Sequence, residues 1–99
     1  MKQSQITDFL LSVDAQSTDN GWFEIAGDRH VMLCVAHNGV GLNVAEIEAI
    51  RTGDEVVWAR TRKGETYQLM LEDVFATAAE APEDGDRKAG FIVAGRTSK

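Results

Sequence analysis

The first apolar positions of the chain recur with the spacing of an amphipathic helix. They are Ile6, Phe9, Leu10 and Val13, at i, i+3, i+4 and i+7. The next segment, residues 14–21 (DAQSTDNG), is polar and rich in turn-forming residues, and such a segment ends a helix. The pattern therefore predicts a helix over residues 5–13.

Further along the chain the apolar positions alternate, which is the pattern of β-strands. The clearest turn signal is Asn38-Gly39, because Asn-Gly favours the two-residue turn of a β-hairpin. A two-residue turn at this point places Leu33 and Val35 opposite Val44 and Leu42. All four are apolar, and a shift of one residue would turn them toward water. The turn and the alternation thus predict the same antiparallel register.

Further strands are predicted at residues 47–52, 55–62 and 65–71. Lys63-Gly64, between the last two, is interpreted as a second two-residue turn. That turn places Trp58 opposite Leu69 and collects the bulky apolar residues on one face. We therefore expect Trp58 to belong to the core.

Helical spacing of apolar residues returns in the segment from Glu72 to Glu80. Its leading carboxylates suit the positive end of a helix dipole. The segment is predicted to be a second helix, which Pro82 ends. Residues 82–99 are predicted to be a charged linker and tail, with the composition of a short edge strand at residues 91–94.

Together these elements predict an α+β fold. It consists of an N-terminal helix, an antiparallel five-strand meander, a short C-terminal helix and a flexible tail. A chain of 99 residues suits one domain, which we assign to residues 1–81, with residues 82–99 outside it. An open curved sheet and a small β-barrel both fit this string of elements, and both alternatives stay open.

Composition narrows the class of protein. Sixteen Asp and Glu against ten Lys and Arg give a formal charge of −6, and 43% of the residues are hydrophobic. That is too apolar for a wholly disordered chain. The longest apolar stretch, residues 31–36, is far shorter than the roughly 20 residues that cross a bilayer. The N-terminal segment lacks the apolar core of a signal peptide, so a cytoplasmic location is expected.

His30, Cys34 and His37 have a spacing that invites interpretation as a metal site. In a strand, however, His30 and Cys34 lie roughly 13 Å apart, too far to share one ion. No spacing links a nucleophile, a base and an orienting group either. We therefore predict no metal site, no cofactor and no catalytic residue, and a chain that is not an enzyme. Cys34, the single cysteine, is expected to be a small hydrophobic residue in a packed strand and not a reactive thiol.

The one basic stretch of the sequence runs from residue 51 to residue 63. Its cations are Arg51, Arg60, Arg62 and Lys63, with the aromatic residues Trp58 and Tyr67 nearby. Cations interleaved with aromatic rings are typical of proteins that bind single-stranded nucleic acid. The alternative is cross-strand ion pairing, of Arg60 with Glu48 and of Arg62 with Glu65.

A second strand face remains to be covered if the core occupies the first. Alternation assigns Trp22, Glu24, Met32 and Cys34 to this second face. An exposed face that carries Trp and Met is typical of a binding surface. The sequence thus predicts a non-enzymatic protein-interaction or regulatory module whose partner is another protein, in the first place a second copy in a homodimer. The alternative is a small β-barrel that binds single-stranded nucleic acid through the four basic residues.

Overall fold

The computed structural model describes residues 1–80 in full and the backbone of two short strands beyond them. The linker and tail are predicted over residues 82–99. Apart from these two strands, that range lies outside the described residues. The elements are α1 (Gln3–Ser12), β1 (Gln16–Ser17), β2 (Trp22–Glu24), β3 (His30–His37), β4 (Val40–Val44), β5 (Ile47–Thr52), β6 (Val56–Thr61), β7 (Thr66–Met70), a 3₁₀ turn (Leu71–Asp73), β8 (Val74–Glu80), β9 (Phe91–Val93) and β10 (Arg96–Thr97). In this part of the chain no helix is long and apolar enough to cross a membrane.

The strands form two antiparallel sheets. Sheet A has the order β1-β2-β5-β6-β7, and sheet B has the order β10-β9-β8-β3-β4. The predicted N-terminal helix and antiparallel sheet are confirmed, but the single five-strand meander is wrong, because β2 pairs with β5 and β3 pairs with β8. One cause lies at Glu46, whose φ of 54° turns the chain between β4 and β5. After this turn the chain leaves sheet B, and β5 pairs within sheet A.

The helix and both sheets share one hydrophobic core. The helix contributes Ile6, Phe9 and Leu10, as their spacing predicts. It begins at Gln3, before the predicted start, where the backbone N–H of Lys2 donates a hydrogen bond of 2.8 Å to Oε1 of Gln5. The sheets contribute buried side chains that include Val31, Leu33, Val44, Ile47, Ile50, Val57, Leu71 and Val74. Burial of each large side chain contributes about 1.5–3 kcal/mol, so this core is the main source of stability.

The predicted β3–β4 hairpin is confirmed with its register. Val35 lies opposite Leu42, and Leu33 lies opposite Val44. Asn38 and Gly39 in the turn have φ of 52° and 82°, as a two-residue turn with left-handed residues requires. Leu42 nevertheless remains 45% exposed. It is less buried than predicted because β4 is the edge strand of sheet B.

The predicted β6–β7 register is wrong by one residue. Trp58 lies opposite Gln68, and Val57 lies opposite Leu69. The loop has three residues instead of two, since the N–H of Thr61 donates to the carbonyl of Glu65 at 2.8 Å. Gly64 closes this loop with φ of 90°. The shift turns Val57 and Ala59 into the core and Trp58 out of it.

The predicted helix from Glu72 to Glu80 is also wrong, since a 3₁₀ turn leads into β8. This strand lies inside sheet B, where it pairs with β3 on one side and β9 on the other. The segment from Ala76 to Ala79 is buried throughout. Small side chains fit both faces of a central strand, and the backbone hydrogen bonds to two neighbours outweigh the helical preference of alanine.

We expect Gly64→Ala to lower the free energy of unfolding by about 1 kcal/mol, because an L side chain at a φ of 90° is strained. Gly27→Ala is the matched control, since Gly27 has no positive φ and a Cβ there would meet nothing within 4 Å. Urea unfolding of both variants measures the difference. Equal effects at the two positions would contradict the positive φ of Gly64.

Candidate functional site

The outer face of sheet A, opposite to the hydrophobic core, carries two tryptophans and two arginines. The register aligns Trp22 with Arg51 and Arg51 with Trp58, so these three form a row across β2, β5 and β6. Arg60 follows Trp58 by two residues and shares its face. The intervening residues of β5 and β6 belong to the core. We call Trp22, Arg51, Trp58 and Arg60 the Trp–Arg face.

Three neighbours hold the indole of Trp58 in place. The Cζ of Arg51 lies 5.4 Å from the centroid of the ring, within the range of a cation–π interaction. The Nε1–H of Trp58 donates to Oε1 of Gln68 at 3.3 Å. Gly53 lies against the ring, since a Cβ at that position would be 3.4 Å from Cζ3 of Trp58. The ring is therefore oriented by the fold itself.

The second pair on this face is built in the same way. The Cζ of Arg60 lies 5.0 Å from the centroid of the Trp22 ring. The Nε–H of Arg60 donates to Oε2 of Glu48 at 2.7 Å, which confirms the predicted ion pair. Ala49 is fully buried without belonging to the core, because it lies on this outer face between Glu24 and Arg60. The larger side chains around it thus form a small packed layer of their own.

The two arginines differ in their electrostatic surroundings. Arg60 is paired with Glu48, whereas exposed Arg51 has no carboxylate partner among residues 1–80. A guanidinium presents a planar set of donors that matches a carboxylate or a phosphate. Arg51 therefore supplies this face with a cation that is available to an external anion.

The other predicted basic residues do not join the face. Arg62 donates to the carbonyl of Arg29 at 2.6 Å and to that of Ala26 at 3.2 Å, and its ion pair is with Glu46. The predicted pairing of Arg62 with Glu65 is therefore wrong. Arg62 holds the loop before β3, while Lys63 lies in the β6–β7 loop.

Tyr67 also lies away from the Trp–Arg face, because it packs against the core. Trp22 is the member that the basic stretch did not reveal. No local pattern indicates that Trp22 belongs to the Trp–Arg face, because the β2–β5 pairing brings it beside Arg51 from almost 30 residues away along the chain. Of the predicted nucleic-acid site, the structure thus brings together Arg51 and Arg60, with Trp58 between them.

The four residues of the predicted protein-binding site lie on two different sheets. Trp22 and Glu24 are in β2 of sheet A, whereas Met32 and Cys34 are in β3 of sheet B. The expectation that they share one face is wrong, because β2 pairs with β5 and not with β3. Burial raises the pKa of the Cys34 thiol, which keeps it protonated at neutral pH.

The two histidines lie at opposite ends of β3 and have separate partners. Nδ1 of His30 lies 3.1 Å from Oε2 of Glu46, and Nδ1 of His37 lies 3.0 Å from Oδ1 of Asp73. Among the described residues, no three His, Cys, Asp or Glu side chains form a group that could hold a metal ion.

A pocket of about 450 Å³ lies where the start of α1 meets the 3₁₀ turn. Its charged lining consists of Lys2, Asp54, Glu55 and Glu72, and it contains no histidine, cysteine or serine. The pocket therefore holds no Ser–His or Cys–His pair. The Trp–Arg face is therefore the stronger candidate site.

The Asp73 carboxylate raises the pKa of His37, first through their hydrogen bond and then through its charge. The protonated form of His37 thus stabilises the fold. This contribution is complete below the pKa of an unfolded histidine, about 6.5. It is lost as the pH rises through the higher pKa of the folded state.

We therefore expect Asp73→Asn to lower the pKa of His37, as measured by an NMR titration of the imidazole protons. The stability advantage of the wild type over Asp73→Asn should also shrink as the pH rises through the pKa of folded His37. The same His37 pKa in both proteins would contradict the ion pair.

Comparison with known proteins adds no further information about this face. No protein-family model matches the chain, and neither a curated protein nor a solved structure matches it.

Proposed function

We propose that the chain is a non-enzymatic protein-interaction module that binds its partner through the Trp–Arg face. The observation that carries the proposal is the row of Trp22, Arg51 and Trp58 on the outer face of sheet A, with Arg60 beside it. Tryptophan and arginine are the residues most enriched at the energetic centres of protein interfaces. Both indoles are half-buried and held by neighbours, so little side-chain entropy is lost when a partner docks.

The chemistry of the face suggests the chemistry of the partner. Arg51 lacks a carboxylate partner in the described part of the chain and lies between two indoles in the cross-strand row. A partner that fills this site supplies a carboxylate to the guanidinium and a flat apolar side chain to the rings. The partner we propose is therefore a protein segment in which Asp or Glu adjoins an aromatic residue.

Single-stranded nucleic acid is the second candidate, because it also combines an anion with flat rings. Tryptophans and arginines on one sheet face favour it. Two observations favour a protein partner instead. A chain of formal charge −6 repels a polyanion, and Glu48 and Glu46 already neutralise Arg60 and Arg62.

The non-enzymatic and cytoplasmic parts of the proposal have simpler support. The pocket beside the 3₁₀ turn is lined by no serine, cysteine or histidine, so it holds no Ser–His or Cys–His pair. The single cysteine excludes a disulfide within the chain, and disulfides are typical of small secreted domains.

The test is selection of displayed random peptides on the full chain, followed by affinity measurements on the selected peptides. We expect selected peptides in which an acidic residue adjoins an aromatic one. Arg51→Gln and Trp58→Ala should each weaken their binding about 30-fold, the equivalent of about 2 kcal/mol. Lys63→Gln is the matched control and should bind like the wild type, since Lys63 lies in the β6–β7 loop outside the face.

Two results would contradict the proposal. The first is that the selected peptides bind Arg51→Gln and the wild type equally well, which would show that they bind a surface other than the Trp–Arg face. Salt-sensitive binding of a labelled oligothymidine that Arg51→Gln abolishes, without peptide binding, would establish the nucleic-acid alternative.

A further inference from the structure

Strand β4 forms a free edge of sheet B, since among the described strands it pairs with β3 alone. Natural proteins protect such edges with charged residues, proline or bulges. The sequence of β4, Val-Gly-Leu-Asn-Val, contains no charge and no proline, and its pairing with β3 has no irregularity. Two of its three large apolar side chains are open to solvent, with Val40 71% and Leu42 45% exposed, whereas Val44 is buried. This edge therefore has the properties of a pairing surface.

The hairpin determines which backbone groups the edge presents. The residues that flank a two-residue turn exchange hydrogen bonds, so His37 and Val40 form a hydrogen-bonded pair. Alternation then directs the N–H and C=O of Leu42 toward β3 as well. The N–H and C=O of Gly41 and Asn43 consequently point away from the sheet. Another extended strand can satisfy both residues in register, in place of the water that otherwise binds them.

The sequence of β4 is complementary to itself. When two β4 strands run antiparallel with Leu42 at the two-fold axis, Gly41 of each copy lies opposite Asn43 of the other. Both are outward-pointing residues, so the two pairs exchange four hydrogen bonds. Val40 then lies opposite Val44 of the second copy, and the two Leu42 side chains meet.

Charge also favours a second copy at this edge. Each chain has a formal charge of −6, so contact between two copies is opposed wherever acidic residues would meet. Residues 38–45 contain no ionisable side chain, which makes the tip and edge of this hairpin an uncharged segment. The other long edge, β7, alternates polar Thr66 and Gln68 on its outer face and lacks the symmetric apolar pattern.

We propose that two copies of the chain form a homodimer by antiparallel pairing of their β4 strands, which joins two copies of sheet B into one continuous sheet. The dimer uses sheet B, whereas the Trp–Arg face lies on sheet A and stays open. The inference therefore does not rest on the proposed function, and each can fail without the other.

Two substitutions at Asn43 test the dimer. Asn43→Pro removes the outward N–H but keeps the bonds to β3, because proline is tolerated where the N–H of an edge strand faces solvent. Asn43→Ala keeps that N–H and is the matched control. Sedimentation equilibrium over a range of concentrations should give twice the chain mass for the wild type and for Asn43→Ala. Asn43→Pro should dissociate at least about tenfold more readily, with an unchanged circular dichroism spectrum.

Leu42→Lys provides a second variant should Asn43→Pro fail to fold. Leu42 is partly exposed, so the charge is tolerated in the monomer, and two lysines meet at the axis of the dimer. The Leu42→Lys protein should be monomeric. In the wild type the amide protons of Gly41 and Asn43 should exchange slowly with solvent, and in Leu42→Lys they should exchange rapidly.

Three results would overturn the dimer. The wild type could remain monomeric at every concentration, or Leu42→Lys and folded Asn43→Pro could dimerise as tightly as Asn43→Ala. The third is a dimer that dissociates in Arg51→Gln and persists in Asn43→Pro, since it would show that the copies associate through the Trp–Arg face.

Discussion

The direction in which β6 presents its side chains is the constraint on which the candidate site depends. Val57 and Ala59 are fully buried in the core, so Trp58 and Arg60 face outward, because successive residues of a strand point to opposite faces. The three-residue loop closed by Gly64 fixes this orientation relative to β7. Because Tyr67 and Leu69 of β7 pack against the core, a two-residue loop that paired Trp58 with Leu69 would place Trp58 on the core side and leave sheet A without its aromatic row.

The charged residues of this acidic chain have distinct structural roles. Glu46 lies at the turn between the sheets and contacts both His30 and Arg62, and Arg62 also binds backbone carbonyls before β3. Glu48, in the irregular stretch of β5, fixes Arg60 over Trp22. Such pairs contribute little stability individually, about 0–1 kcal/mol each at a surface. Their main effect is to fix the positions of the arginine side chains. Because Arg60 is paired in this way, Arg51 is the cation of the Trp–Arg face that can bind an external anion.

Local signals in the sequence predict local structure where only one conformation fits them. Asn38-Gly39 determines the register of β3 and β4 because both turn residues need a positive φ that Asn and Gly tolerate. Lys63-Gly64 was ambiguous, since Gly suits the last position of a three-residue loop equally well. The alanines of β8 fit a helix and a central strand alike. Arg51, Trp58 and Arg60 could be grouped from the sequence, but Trp22 joins them through a long-range pairing that no local pattern encodes.

Cross-strand nuclear Overhauser effects between the backbones of β6 and β7 test the orientation of Trp58 most directly. The register described above predicts contacts of Trp58 with Gln68 and of Ala59 with Tyr67. Contacts of Trp58 with Leu69 and of Arg60 with Tyr67 would instead place the Trp58 indole in the core. The Trp–Arg face would then not exist, and the proposed function would lose the surface on which it depends.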